Sequence, residues 1–237
     1  EPFQPMPEGF VHVPFGDIAA LEAVVDGSVA AVLVECVQGE GGVIPATNEW
    51  LQQVRQLCTE RGALMMIDEV QTGFARTGDW FAFQHAGVRP DVVMLAKAMG
   101  NGMPVGALWA PRDIAKVFVP GDHGSTYSGT AIATAAVCAV IDIMRRIDAP
   151  RLAREKGELI TSQLLRLPGV KSVRGRGLLL GVELGESIDA KAKQAAMLER
   201  GLVTNAVTAT ALRLAPPITV TADEVGEAMA IMTEVLA

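Results

Sequence analysis

Polar residues close three apolar runs: Glu35 ends VAAVLVE at 29–35, Asp68 and Glu69 end ALMMIDE, and Lys97 ends DVVMLAK. A lysine at the inner end of an apolar strand is uncommon, because a buried ammonium costs several kcal/mol unless it is paired or neutralised. One remedy is an ion pair with Asp68 or Glu35. The other is a Schiff base with an aldehyde cofactor, in which a conjugated group replaces the ammonium. A nearby carboxylate then keeps a pyridine nitrogen protonated and makes the ring an electron sink. Asp68 suits that second task, and residue spacing leaves both remedies open.

The runs lack alternation, the pattern of strands covered on both faces of a parallel sheet. Their ends lie 33 and 29 residues apart, about the length of a βαβ unit. In open α/β sheets the ligand crevice lies outside the carboxyl ends of the strands, so Glu35, Asp68 and Lys97 are expected to converge there. Between the first two runs, QGEGG at 38–42 leads to Thr47 as an N-cap. A helix through Trp50, Val54, Leu57 and Cys58 then stops at Gly62. VGALWA at 105–110 reads as an antiparallel strand, since the GNGMP turn before it is too short for a crossover. An Ala-rich helix follows over 130–147. Ser125 and Thr126 precede it, so their hydroxyls and N–H groups could bind phosphate at a positive helix end.

Pro150 marks a break. Beyond it the pattern predicts a helix over 151–166, the strand-like VKSVRGRGLLLGVEL, a helix over 189–200, strands near 202 and 212, and a last helix opened by a Thr221–Glu224 capping box. The expected fold class is α/β with a mainly parallel sheet, followed by a smaller α+β domain. Arg213 reads in isolation as a solvated arginine on an edge strand, but the prolines of LAPPI fix the backbone around it and favour a functional role.

At 237 residues the chain can bury a sizeable core, and two domains are expected. Half the residues are hydrophobic and 5% aromatic, so aliphatic side chains must fill the interior. A net charge of −7 with scattered basic residues gives nucleic-acid binding no support. Cys36, Cys58 and Cys138 show no C-x-x-C spacing and read as buried free thiols of a reducing cytosol. His12, His85 and His123 share no spacing, and no metal is expected. The most apolar run, 131–141, is too short to cross a bilayer, and no membrane segment or signal peptide is expected. The opening EPFQPMPEGFVHVPF, with four prolines, reads as an extended connector entering from something earlier.

VECVQGEGGV, IDEVQTGFARTG, LAKAMGNGMPVGA, GDHGSTYSG, VRGRGLLLGVEL and LRLAPPI resemble, in this order, the landmarks of class-III (ornithine-type) aminotransferases. They are most similar to those of the acetylornithine and ornithine enzymes, and the resemblance spans nearly all of the chain. It implies the aspartate aminotransferase-like fold type I. Residues 1–150 would be the C-terminal part of a large domain that binds pyridoxal 5′-phosphate (PLP), and 151–237 a small C-terminal domain. It implies ping-pong transfer of a terminal amino group from N-acetylornithine or ornithine to 2-oxoglutarate, as in arginine biosynthesis, by a cytoplasmic homodimer. By the same resemblance Lys97 holds PLP, Asp68 pairs with its ring nitrogen, Gln71 contacts the ring hydroxyl and Val70 packs beneath the ring. Ser125 and Thr126 complete the phosphate site, the threonine reaching the partner's cofactor. Glu35 and Glu40 face the substrate, and Glu40 pairs with Arg213 when the amino donor is bound. Arg213 is released to grip a carboxylate when 2-oxoglutarate or glutamate enters. Other class-III activities, on 4-aminobutyrate, succinylornithine or carrier-linked lysine, share these residues, and an inactive structural or dimerisation module is the remaining alternative.

Cys36 stands where the family usually has proline, and Ser128-Gly-Thr130 replaces a commoner Gly-Gly-Asn. The early glycine turn around the phosphate, the aromatic residue stacked on the ring and the early substrate-binding arginine have no counterpart. The chain therefore reads as a fragment, expected to be feeble or inert alone because positioning needs both halves of a site.

Overall fold

A computed structural model describes residues 4–237, so the first three residues of the opening connector lie outside the described residues. The connector leads into a helix the pattern did not announce, α1 (Ile18–Val24), whose N-cap Asp17 accepts the Ala20 N–H at 3.0 Å. β1 (Ala31–Glu35) follows, then a hairpin of β2 (Val37–Gln38) and β3 (Ile44–Pro45) with the glycine-rich segment as its turn. Helix α2 (Asn48–Arg61) begins and ends where its caps predict. Thr47 accepts the Trp50 N–H at 3.1 Å, and Gly62 takes the left-handed conformation at φ 73°.

Then come β4 (Leu64–Asp68), β5 (Val92–Leu95), β6 (Ala107–Trp109) and the short α3 (Arg112–Ala115). The sheet runs β1-β4-β5-β6, its first two pairings parallel and the last antiparallel. Val32, Val34, Met65 and Ile67 alternate onto one face and bury against Leu21, Trp50, Leu51, Val54 and Leu57 of the first two helices. Each such side chain contributes about 1.5–3 kcal/mol of burial. Coverage of both faces is not what is found at β1, where Leu33 on the opposite face is 57% exposed among the described residues.

The second crossover also differs from expectation. Between β4 and β5 the chain makes only a 3-10 turn, Ala82–Ala86, in place of an α-helix. Glu69 holds this loop from within. It is fully buried, accepting from Thr72 Oγ1 at 2.5 Å and from the Phe83 N–H at 3.0 Å.

Helices α4 (Ala131–Arg146) and α5 (Ala149–Leu164) are separated by Asp148, at φ 50°. The break thus precedes Pro150, which sits in the first turn of α5 where its missing N–H leaves no bond unmade. β7 (Val170–Arg176) and β8 (Leu179–Leu184) form a hairpin, followed by α6 (Ala190–Glu199), β9 (Asn205–Ala206), β10 (Ala211–Leu214) and α7 (Ala222–Leu236). The strand expected near 202 begins three residues later. Helix α7 opens with the capping box between Thr221 and Glu224.

This second sheet, β7-β8-β10-β9, is antiparallel. Leu180, Val182 and Leu184 of β8 point into a core with Ala153, Ile160, Leu164, Met197, Leu212 and Met232, while Leu179 turns the other way to meet Val37 and Val43 of the hairpin. Arg76 ties the two sheets together. Its half-buried guanidinium donates to the carbonyls of Pro216 at 2.5 Å and Leu178 at 3.3 Å, and its own carbonyl accepts the Leu178 N–H at 2.9 Å. Cys36 and Cys58 are buried free thiols, but Cys138 is exposed on α4 because that helix turns little of its surface inward. Among the described residues no helix is long and apolar enough to cross a membrane.

Candidate functional site

Glu35 and Asp68 are direct register partners at the carboxyl ends of β1 and β4. Both point away from the face that buries Val34 and Ile67, because strand side chains alternate. Asp68 Oδ1 accepts the Val70 N–H at 2.8 Å, which fixes the carboxylate and leaves its second oxygen without a hydrogen-bond donor among the described residues. Burial pushes the Glu35 carboxyl above its ordinary range, opposed by the Gly39 N–H at 3.2 Å. Asp68 pushes it further up and Lys97 pulls it down, so the fields of both groups reach Glu35.

Lys97 is not the inner end of β5. The strand stops at Leu95, and Lys97 opens a 3-10 turn, Lys97–Met99, with an exposed side chain. The desolvation that first singled it out is therefore absent here. The backbone supplies a different signal: Lys97 sits at φ 48°, a left-handed conformation that costs a non-glycine residue of order 1–3 kcal/mol and persists only where the surroundings fix it. The ion-pair remedy is also absent, since no carboxylate lies within 4.0 Å of Lys97 among the described residues. What remains is an uncommitted primary amine on a fixed backbone post.

Glu40 stands at the tip of the β2–β3 hairpin, and Arg213 on β10 donates to its Oε1 at 2.6 Å. The pair is asymmetric: the Arg213 side chain is 13% exposed and that of Glu40 78%. The Arg213 hydrogen bond is the main reason the Glu40 carboxyl lies below its ordinary range. Gln71 joins them, accepting from Arg213 Nη1 at 3.4 Å. Its Oε1 comes 1.7 Å from where a Cβ on residue 39 would stand, so any side chain there would displace the Gln71 amide from this position. The sequence carried no sign that Gln71 would bridge the hairpin and β10. Glu69 was marked only as the polar end of its run, with no sign that it would be buried and hold the following loop.

Ser125 and Thr126 are not brought to this cluster. They lie exposed in a loop four to five residues short of α4, and their hydroxyls make no bond to the other candidate residues among those described. A helix-end anion site needs groups at the helix start, and here that place belongs to Thr130, the N-cap of α4.

The family model described as aminotransferase class-III matches residues 2–236. The chain belongs to the class-III aminotransferases. It is 45% identical to an acetylornithine aminotransferase of Corynebacterium efficiens over all of its own length and 59% of that protein's. It is likewise 45% identical to one of Methanopyrus kandleri, covering 100% of the chain and 61% of the relative. The chain thus spans about three fifths of the length of these relatives.

Solved structures agree. An acetylornithine aminotransferase of Elizabethkingia anophelis superposes with a TM-score of 0.90 at 36% identity, over 97% of this chain and 63% of that one. The ornithine aminotransferase of Toxoplasma gondii gives 0.92 at 32%, over 98% and 57%. A further structure of the Toxoplasma enzyme is described with partial occupancy of PLP at its active site. The residues present here fit such a cofactor. A free amine and a carboxylate with one oxygen available stand at the same sheet edge, which is the donor set an aldehyde-bearing pyridine ring requires.

Proposed function

We propose that this chain carries much of the active site of an enzyme that transfers a terminal amino group from acetylornithine or ornithine to 2-oxoglutarate, with PLP as cofactor. The uncommitted amine of Lys97, at the same sheet edge as the Val70-held Asp68, carries this reading. PLP supplies an aldehyde that binds amines and a protonated ring that accepts electrons. Asp68 would hold a proton on the ring nitrogen through its free oxygen, Val70 would pack against the ring, and Gln71 would orient the ring hydroxyl. Lys97 would hold the cofactor's aldehyde and, from its exposed post, would take up the proton that leaves the substrate carbon bearing the transferred amino group.

Glu35 and Glu40 line the substrate side. With the amino donor bound, Glu40 masks Arg213; with 2-oxoglutarate or glutamate bound, Arg213 grips a carboxylate in bidentate fashion. The exposed side chain of Glu40 is free to swing away, while Arg213 is anchored by burial. Ser125 and Thr126, exposed on their loop, suit contact with a cofactor phosphate across a two-fold dimer. Residues 1–150 would then belong to a large cofactor-binding domain and 151–237 to a small one, in a cytoplasmic homodimer.

Amino-donor profiling of the full-length protein tests the proposal. Acetylornithine or ornithine should be the preferred donor, and Lys97→Ala should abolish turnover. Preference for 4-aminobutyrate, succinylornithine or a carrier-linked lysine would move the assignment within the family, and turnover surviving Lys97→Ala would overturn it.

A further inference from the structure

The second sheet carries a row of three residues on the face turned toward the β2–β3 hairpin. Gly181 of β8 is the direct register partner of Arg174 on β7 and of Arg213 on β10, so the two arginines flank a gap with no side chain. The hairpin turn sits over that gap. A Cβ on Gly181 would come 2.9 Å from both the Gly42 carbonyl oxygen and Val43 Cβ.

Arg213 holds the tip of the turn through Glu40, and Arg174 holds its base. Arg174 Nε donates to the Gly42 carbonyl at 2.8 Å, and its Nη1 donates to Glu183 at 2.7 Å. Glu183 is held in turn by Thr210 Oγ1 at 2.5 Å, so the clamp is braced on the sheet itself. Below the clamp Val37, Val43 and Leu179 form a fully buried apolar plug.

We propose that Arg174, with Gly181 beside it, is a positioning residue. It fixes the hairpin against the second sheet and thereby sets how completely Glu40 masks Arg213. This rests on the two-substrate reading of Glu40 and Arg213 proposed above. With the base of the turn fixed, exchange between substrates needs only the Glu40 side chain to move. With the base loose, Glu40 meets Arg213 only part of the time. Arg213 is then left unmasked against the amino donor while remaining available to a dicarboxylate.

The test compares the two half-reactions of the purified, PLP-loaded full-length protein in single turnovers, and measures binding of glutarate, a dicarboxylate without an amino group, by calorimetry. Arg174→Met should lower kcat/KM for the amino donor by about tenfold, the worth of one charge-assisted hydrogen bond. It should change the glutamate half-reaction by less than about twofold, since Arg213 keeps its own anchoring, and leave glutarate binding as tight as in the wild type or tighter. Gly181→Ala, which displaces the turn while keeping Arg174, should give the same one-sided split, and Arg174→Lys, which retains one donor for Gly42, should recover part of it. Parallel loss in both half-reactions, or weakened glutarate binding, would show a merely structural role and overturn the proposal. Wild-type protein inert in both half-reactions would overturn the two-substrate reading, and this proposal with it.

Discussion

Two glycines inside helices should respond to the same substitution with opposite signs. Gly157 is buried in α5 and Gly226 is exposed in α7. In a helix interior, alanine is favoured over glycine by about 1 kcal/mol, because glycine loses more backbone entropy. Nothing lies within 4 Å of a Cβ built on Gly226, so Gly226→Ala should realise that gain. A Cβ on Gly157 would lie 2.1 Å from the carbonyl oxygen of Gly177. That oxygen cannot yield easily, because Gly177 itself packs on the backbone of Arg76, Thr77 and Gly78. With rigid backbone on both sides the overpacking cost falls at the upper end of the usual range, about 3 kcal/mol, and outweighs propensity by about 2 kcal/mol. At a few degrees per kcal/mol, Gly157→Ala should melt roughly 4–8 °C below the wild type and Gly226→Ala about 2–4 °C above it. Calorimetry or denaturant titration of the full-length variants reads both. A Gly157→Ala protein as stable as the wild type would refute the close seating of α5 on the 176–178 turn.

Glu69→Ala should destabilise by about 2–4 kcal/mol in denaturant titration, because it strips acceptors from buried donors at Thr72 and Phe83. Burial pushes the Glu69 carboxyl above its ordinary value against hydrogen bonds from Thr72, Ala82 and Phe83, so its contribution is greatest when protonated and is lost as pH rises through its folded value. Glu69→Gln should therefore gain stability relative to the wild type as pH rises from about 4 toward 7, and a difference independent of pH would count against the burial. Glu40→Gln should lower the KM for 2-oxoglutarate by about fivefold and slow the amino-donor half-reaction, since a half-exposed ion pair is worth about 1 kcal/mol. Equal effects on both halves would remove the mask from the account. The Glu40 carboxyl is held low by Arg213, so the mask itself should persist from neutral pH down to the ordinary carboxylate range and be lost only on further acidification. A substrate preference that titrated between about pH 6 and 8 would point to another group.

The sheet edge was legible because apolar runs and their polar ends follow strand physics: Glu35 and Asp68 emerge as register partners where spacing put them. Helix α2 was legible from its caps, Thr47 and Gly62, and α7 from its capping box. Lys97 was singled out for a burial it does not have, because a strand's end and the backbone conformation after it cannot be read from hydropathy. The second crossover was misjudged for a related reason. Length alone does not distinguish a helix from a loop held by one buried carboxylate, and Glu69 supplies that hold. Ser125 and Thr126 precede α4 in sequence but stop short of its first turn. The seating of Gly181 under the hairpin depends on which strands become neighbours, and no local pattern encodes that.

The most direct test of the central claim is to add PLP to the full-length protein, reduce with borohydride and map the modified peptide by mass spectrometry. The pyridoxyl group should be found on Lys97, with an absorbance band above about 400 nm before reduction that Lys97→Ala removes. A modification on any other lysine, or a band that survives Lys97→Ala, would contradict the assignment.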